Sequence, residues 1–196
     1  MSSVHYPDVS AFVLAGGHSR RMGFDKRAIV LDGLTLLELI GRRIAEATGQ
    51  SPWFVGDSLS DTAPAGSRTI GDAAPDCGPL GGLVAALESC PTSWALILAA
   101  DLPRITEREL RLLLDVPREG LDVAAFAPSG VPEPLAALYN RRTAPFWRHR
   151  LLEGKLSLRD GITLLQCLPV DPGDAGRALL NLNTPADLDL LRRSNH

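Results

Sequence analysis

The chain has little of what a disulfide scaffold, a membrane span or a nucleic-acid surface requires. Its 196 residues hold three cysteines, Cys77, Cys90 and Cys167, with no C-x-x-C pair. An odd, widely spaced set fits reduced thiols better than a disulfide framework or a zinc site. The longest uninterrupted apolar run, Trp94 to Ala100, is too short to span a bilayer. Met1 to Asp8 shows no charged-then-apolar pattern, so no leader peptide is expected, and a cytoplasmic location is. The formal net charge of -3 gives no net-basic balance for a general nucleic-acid surface. Internal repeats, linkers and low-complexity segments are missing. Among the four histidines, His5 and His196 sit near the chain ends, His149 falls in a helical pattern and His18 in a glycine-rich loop. None of them stands out as a general base.

What is present is concentrated in a few glycine-rich turns behind short apolar runs. Ala11 to Leu14 reads as a buried strand that stops at Gly16-Gly17-His18-Ser19-Arg20-Arg21-Met22-Gly23-Phe24-Asp25-Lys26. Glycines let backbone N–H groups approach an anion with no Cβ in the way, and Arg20, Arg21 and Lys26 can neutralise negative charge. The spacing is neither a Walker A loop nor a Gly-x-Gly dinucleotide fingerprint.

Strand-like and helix-like segments then alternate. Ala28 to Leu31 is extended and ends at the turn dipeptide Asp32-Gly33. Thr35 and Glu38 form a capping box, Leu37, Ile40 and Ile44 line one helical face, and Gly49 stops the helix. Trp53 to Val55 and Arg68 to Ile70 are short strands leaving Gly56-Asp57 and Gly71-Asp72 at their ends. Asp72 to Leu83 is a loop dense in glycine and proline, Gly78, Pro79, Leu80, Gly81 and Gly82 included, with a helix expected directly behind it. Trp94 to Ala100 is apolar throughout, the mark of a central parallel strand covered on both faces. It ends at Asp101, where open α/β sheets bind ligands. Thr106 and Glu109 already cap the next helix.

The second half is plainer. Asp122 to Ala127, Leu165 to Val170 and Leu179 to Leu182 read as strands, Ala144 to Leu152 as a helix, and Ser157 as a further cap. Arg148, Arg150 and Lys155 suit a solvated helix face better than a phosphate site. Thr184 and Pro185 open a last helix, after Asn181 and Asn183. Together these elements predict one α/β/α domain over residues 1–196, with a Rossmann-like, mostly parallel sheet and ends frayed over about 1–8 and 193–196.

Leu-Ala-Gly-Gly-x-Ser-x-Arg-Met-Gly-x-Asp-Lys resembles the nucleotide-binding signature of the molybdenum cofactor guanylyltransferases, within the nucleotidyltransferase superfamily. Gly-Pro-Leu-Gly-Gly after Asp72, Pro-Leu-Ala-Ala-Leu-Tyr at Pro134 to Tyr139, and Asn-x-Asn-Thr-Pro-x-Asp at Asn181 to Asp187 extend the likeness over most of the chain. The resemblance implies the nucleotide-diphospho-sugar transferase type of fold. It also implies transfer of GMP from GTP to molybdopterin, with release of pyrophosphate. It assigns Leu14, Ala15, Gly16, Gly17, Lys26, Asp72, Gly78, Pro79, Leu80, Gly81 and Asp101 to nucleotide binding. Arg21, Lys26 and Asp101 fall to catalysis, and Asp101 with Asn183 to Mg2+. Transient contacts with cofactor-biosynthesis proteins or molybdoenzymes follow from the same likeness. Gly16 and Gly78 to Gly82 favour GTP over the CTP of related cytidylyltransferases. Two positions depart from the pattern: Gly56-Asp57, where many relatives carry asparagine, and Glu133, where histidine or glutamine is usual. A sugar-phosphate nucleotidyltransferase and a GTP-binding regulator without transfer activity are the other readings.

Overall fold

The computed structural model describes residues 5–16, 29–31, 33–57, 59, 62–173, 179, 180, 182 and 187. In chain order the elements are β1 (Val9–Leu14), β2 (Val30–Leu31), β3 (Leu34–Thr35), α1 (Leu36–Thr48), β4 (Trp53–Val55), β5 (Arg68–Ile70) and α2 (Pro79–Ser89). There follow β6 (Trp94–Ala99), α3 (Glu107–Leu114), β7 (Val123–Phe126), β8 (Ala136–Asn140), α4 (Ala144–Leu152), α5 (Leu158–Ile162) and β9 (Cys167–Val170). Seven strands form one sheet in the order β5-β4-β1-β6-β8-β7-β9, and β2 pairs with β3 in a small antiparallel ribbon.

Side chains one residue apart on a strand point to opposite faces, and this divides the core in two. Ala11, Val13, Leu96 and Leu98 pack with Leu37, Ile40 and Ile44 of α1 and Leu110 and Leu113 of α3. Phe12, Leu14, Ala95 and Ile97 pack on the other face with Leu80, Leu83 and Leu87 of α2, Trp147 and Leu151 of α4 and Ile162 of α5. A sheet covered on both faces needs continuous apolar strands, and β1 and β6 are buried at every position. The result is the expected three-layer α/β/α sandwich. The expected caps are also present: Thr35 with Glu38 at the start of α1, Thr106 with Glu109 at α3, Ser157 at α5, and Gly49 closing α1 in the left-handed region at φ 74°.

Four expectations need correction. The central strand β6 is parallel to β1 on one side but antiparallel to β8 on the other. Its apolar sequence reports two covered faces, which are as compatible with one direction of a neighbour as with the other. Helix α2 begins at Pro79 rather than after Gly82, because proline at the first helical position loses no hydrogen bond. Leu179, Leu180 and Leu182 lie outside any strand; the Leu182 N–H instead donates to the Asp101 carbonyl at 2.9 Å. Finally, Arg150 is buried, 7% exposed, and donates to the Ser157 carbonyl, so α4 does not present it to solvent. Arg148 pairs with Glu88 and Lys155 with Glu153, as a solvated face would.

One packing contact sets a limit on sequence. Trp147 is fully buried, edge-on to Tyr139 and Phe146, and lies against the backbone of Gly161 in α5. A Cβ at Gly161 would stand 2.5 Å from Trp147 Cη2 and closer still to Cζ3. Gly161→Ala is therefore expected to destabilise the fold by about 1–3 kcal/mol or more, as overpacking of a filled core does. A lowered midpoint in urea unfolding would register it.

Candidate nucleotide site

Strands β5, β4, β1 and β6 are mutually parallel, so their exits share one edge of the sheet. Backbone hydrogen bonds tie these exits together: Ala15 N–H to the Val55 carbonyl at 2.8 Å, Gly56 N–H to the Ile70 carbonyl at 3.0 Å, and Ala100 N–H to the Leu14 carbonyl at 3.1 Å. The approach of β1 and β4 is too close for side chains. Gly56 has φ 150°, and a Cβ there would sit 2.8 Å from the Gly16 nitrogen. Glycine is thus required at the bend for both its conformation and its missing volume.

Asp72 fills the space that these glycines leave. A Cβ on Gly16 would lie 2.9 Å from Asp72 Oδ2, one on Gly82 3.1 Å from Oδ1, and one on Gly81 3.3 Å from Oδ1. The carboxyl group is therefore wedged between the end of β1 and the first turn of α2, where Ala73 N–H also donates to the Gly81 carbonyl. Inside this slot Oδ1 is buried and accepts no hydrogen bond from the protein. Partial burial raises the Asp72 pKa above the usual carboxylate value, and the negative charge of Asp57 raises it further. An acceptor oxygen kept out of water without a donor costs free energy in the folded state; the other oxygen, Oδ2, is not shut away in this manner.

Asp101 follows β6 at the same edge, half-buried, and its carbonyl accepts from Leu182 N–H. This contact brings Leu182 beside Asp101. A carboxylate oxygen is a hard donor, one that suits Mg2+ together with waters and substrate phosphates. No cluster of three or more acidic, histidine or cysteine side chains occurs among the described residues. A Mg2+ ion held mainly by substrate needs none.

The structure thus brings together Leu14, Ala15, Gly16, Asp72, Gly78, Pro79, Leu80, Gly81 and Asp101 of the residues expected from sequence. Gly17, Arg21, Lys26 and Asn183 lie outside the described residues. Sequence reasoning missed the contribution of Gly56 as a glycine that touches Gly16, although its place at a strand end was readable. Asp57 is also drawn in, its Oδ1 accepting from Asp72 N–H at 3.4 Å. Strand β8 starts at this edge as well, where Ala136 pairs with Leu98, so Glu133 stands nearby. Glu133 is held by Arg159 at 2.8 Å.

Parallel strand exits carrying glycines and carboxylates on one edge of a seven-stranded sheet fit an α/β protein of the nucleotide-diphospho-sugar transferase fold. Two solved structures share that fold over nearly the whole chain. One is a molybdopterin-guanine dinucleotide biosynthesis protein A from Archaeoglobus fulgidus, with TM-score 0.76, 24% identity, and 92% of this chain and 95% of that one covered. The other is a CMP:2-keto-3-deoxy-manno-octonic acid synthetase, with TM-score 0.72, 15% identity, and 95% and 97% covered. The sequence matches the profile of the MobA-like NTP transferase domain over residues 11–164. It is also 33% identical to a Chloroflexus aggregans protein named "Probable molybdenum cofactor guanylyltransferase", covering 94% of this chain and 93% of that one. A "Molybdenum cofactor guanylyltransferase" of Vibrio atlanticus is 28% identical over 90% and 91% of the two chains. The chain belongs to the MobA-like NTP transferase family and is a nucleotidyltransferase.

The raised pKa of Asp72 has a testable sign. A carboxyl whose folded pKa lies above its ordinary value of 3.8 favours folding when protonated, and that stability is lost as pH rises through the folded pKa. Asp72→Asn mimics the protonated form. The variant should melt above the wild type at neutral pH, with the gap closing as pH falls through the raised folded pKa toward the ordinary value of 3.8. Thermal unfolding over a pH series in the absence of nucleotide measures both.

Proposed function

We propose that the protein transfers GMP from GTP to the terminal phosphate of molybdopterin carrying molybdenum, forming the guanine dinucleotide cofactor and pyrophosphate. The observation that carries this reading is the Asp72 slot, a buried acceptor oxygen walled by glycines on the edge that also carries Asp101. Guanine presents adjacent N–H donors, and the ribose adds hydroxyls, either of which can meet a carboxylate in such a slot. The missing side chains at Gly16, Gly81 and Gly82 make room for the Asp72 carboxyl at the edge where the nucleoside would bind. The names of the Chloroflexus aggregans and Vibrio atlanticus relatives, a probable and a named molybdenum cofactor guanylyltransferase, support the same substrate pair.

The acceptor's phosphate monoester has a second pKa near about 6, so at neutral pH it is mostly a dianion. Such a nucleophile needs no proton removed, so the reaction requires no dedicated general base. The residues must hold two anions in line and offset charge growing on the leaving pyrophosphate. In this reading the backbone of Leu14 to Gly17 and the first turn of α2, Gly78 to Gly81, hold the nucleotide. Arg21 and Lys26 neutralise its phosphates, Lys26 at the α-phosphate. Asp101 and Asn183 would hold Mg2+, which would neutralise phosphate charge when bound. The reading takes residues 1–196 as one nucleotidyltransferase domain working in the cytoplasm, in transient contact with the proteins that receive the cofactor. No helix of the described residues is long and apolar enough to cross a membrane.

The test is an assay of purified protein with GTP, Mg2+ and molybdopterin, following pyrophosphate and the dinucleotide. Wild type should form both, with GTP preferred over CTP. Asp101→Ala and Lys26→Ala should each lower turnover by roughly a hundredfold, the scale of losing one preorganised charge contact. GTP binding without pyrophosphate release, or rates near normal in both folded variants, would overturn the assignment.

A further inference from the structure

We infer that Asp57, at the exit of β4, is a positioning residue for the nucleotide: it holds the backbone of Asp72 so that the Asp72 carboxyl stays in the slot between Gly16, Gly81 and Gly82. The inference rests on the reading of Asp72 as the nucleoside contact. Its geometric basis is a bridge between two adjacent strand exits. Gly56 binds back to β5 through the Ile70 carbonyl, which turns the next residue toward the end of β5. Asp57 Oδ1 then accepts from Asp72 N–H at 3.4 Å and lies 3.5 Å from where a Cβ on Gly71 would be. A Cβ there would be in ordinary contact, so the carboxyl of Asp57 lies directly over the bend that delivers Asp72. The backbone of Asp72 is anchored next door as well, since Ala73 N–H donates to Gly81. Losing the Asp57 bond would leave that second tie alone to set the angle at which the side chain enters its slot.

The charge of Asp57 adds a second effect, separable from the first. Among the described residues that face Asp72, those of the β1 exit, Leu14 to Gly16, and of the first turn of α2, Pro79 to Gly82, are uncharged. Among the described residues Asp57 is a charged neighbour that bears on the Asp72 carboxyl, and it favours protonation there. A protonated Asp72 has lost one acceptor oxygen for the nucleoside's donors. Asp57 therefore places Asp72 and, in addition to the larger effect of burial, moves the acid side of its working range upward. The same two effects predict different behaviour for two substitutions. Asp57→Asn keeps an amide oxygen for the Asp72 N–H and removes the charge, whereas Asp57→Ala removes both.

The experiment compares wild type, Asp57→Asn, Asp57→Ala and Asp72→Asn for Mg-GTP binding across a pH series, together with turnover at saturating GTP. Asp57→Ala should weaken GTP binding roughly tenfold, the scale of one hydrogen bond, with turnover at saturation little changed. Asp57→Asn should bind like wild type at alkaline pH and hold its affinity to lower pH. Equal affinity and an unshifted acid limb in both Asp57 variants, with binding lost in Asp72→Asn, would overturn the inference and leave the nucleotide reading standing. Wild-type affinity in Asp72→Asn would remove the nucleotide reading of the slot itself.

Discussion

The site depends on how closely the exits of β1 and β4 approach. With the Gly16 nitrogen 2.8 Å from where a Cβ on Gly56 would sit, no other residue fits the crossing without moving one strand end. That closeness is fixed by parallel pairing, since β1 is paired with β6 from Val9 to Leu14 and with β4 from Phe12 to Leu14. The glycines are therefore consequences of the sheet's geometry, and the slot they leave is what Asp72 occupies. Phe12 and Leu14 on one face and Val13 on the other anchor β1 in both halves of the core, so the slot stands at the end of a strand buried at every position.

Burial gives this slot its chemical character. A carboxyl group with one oxygen shut away from water and from protein donors is an unfavourable element of the free protein, tolerated because the core on either side holds the strand ends in place. Its pKa is raised for the same reason. Asp101 differs, because it stands half-exposed at the end of β6, with its backbone carbonyl tied to Leu182. Two carboxylates on one edge thus have unlike surroundings. The one enclosed by glycine suits directional hydrogen bonds to a nucleoside, and the more open one suits a hydrated cation and phosphates.

Much of this was legible in the sequence, for identifiable reasons. The capping boxes at Thr35 and Thr106 involve residues three apart, so local chemistry determines them. The continuous apolar run of β6 announces two covered faces. The placement of Asp72 and Asp101 follows from the rule that strand exits carry the site. What failed depended on partners distant in sequence. The direction of β8 relative to β6 leaves no trace in either strand's composition. Arg150 carries a charge but finds the Ser157 carbonyl seven residues on, and a helical charge pattern cannot show that. Leu179 to Leu182 has the composition of a strand, yet the Leu182 N–H bonds to Asp101 instead of joining the sheet. The role of Gly56 is a contact between two loops, visible only once β1 and β4 lie side by side.

Backbone amide hydrogen exchange with and without Mg-GTP tests most directly whether the glycine-walled slot is where the nucleotide binds. Protection should appear in peptides covering Leu14 to Gly16, Asp72 to Ala74 and Gly78 to Leu83, with β7 and β9 unchanged. Protection confined to the β7, β8 and β9 half of the sheet, with exchange around Asp72 unaltered, would contradict it.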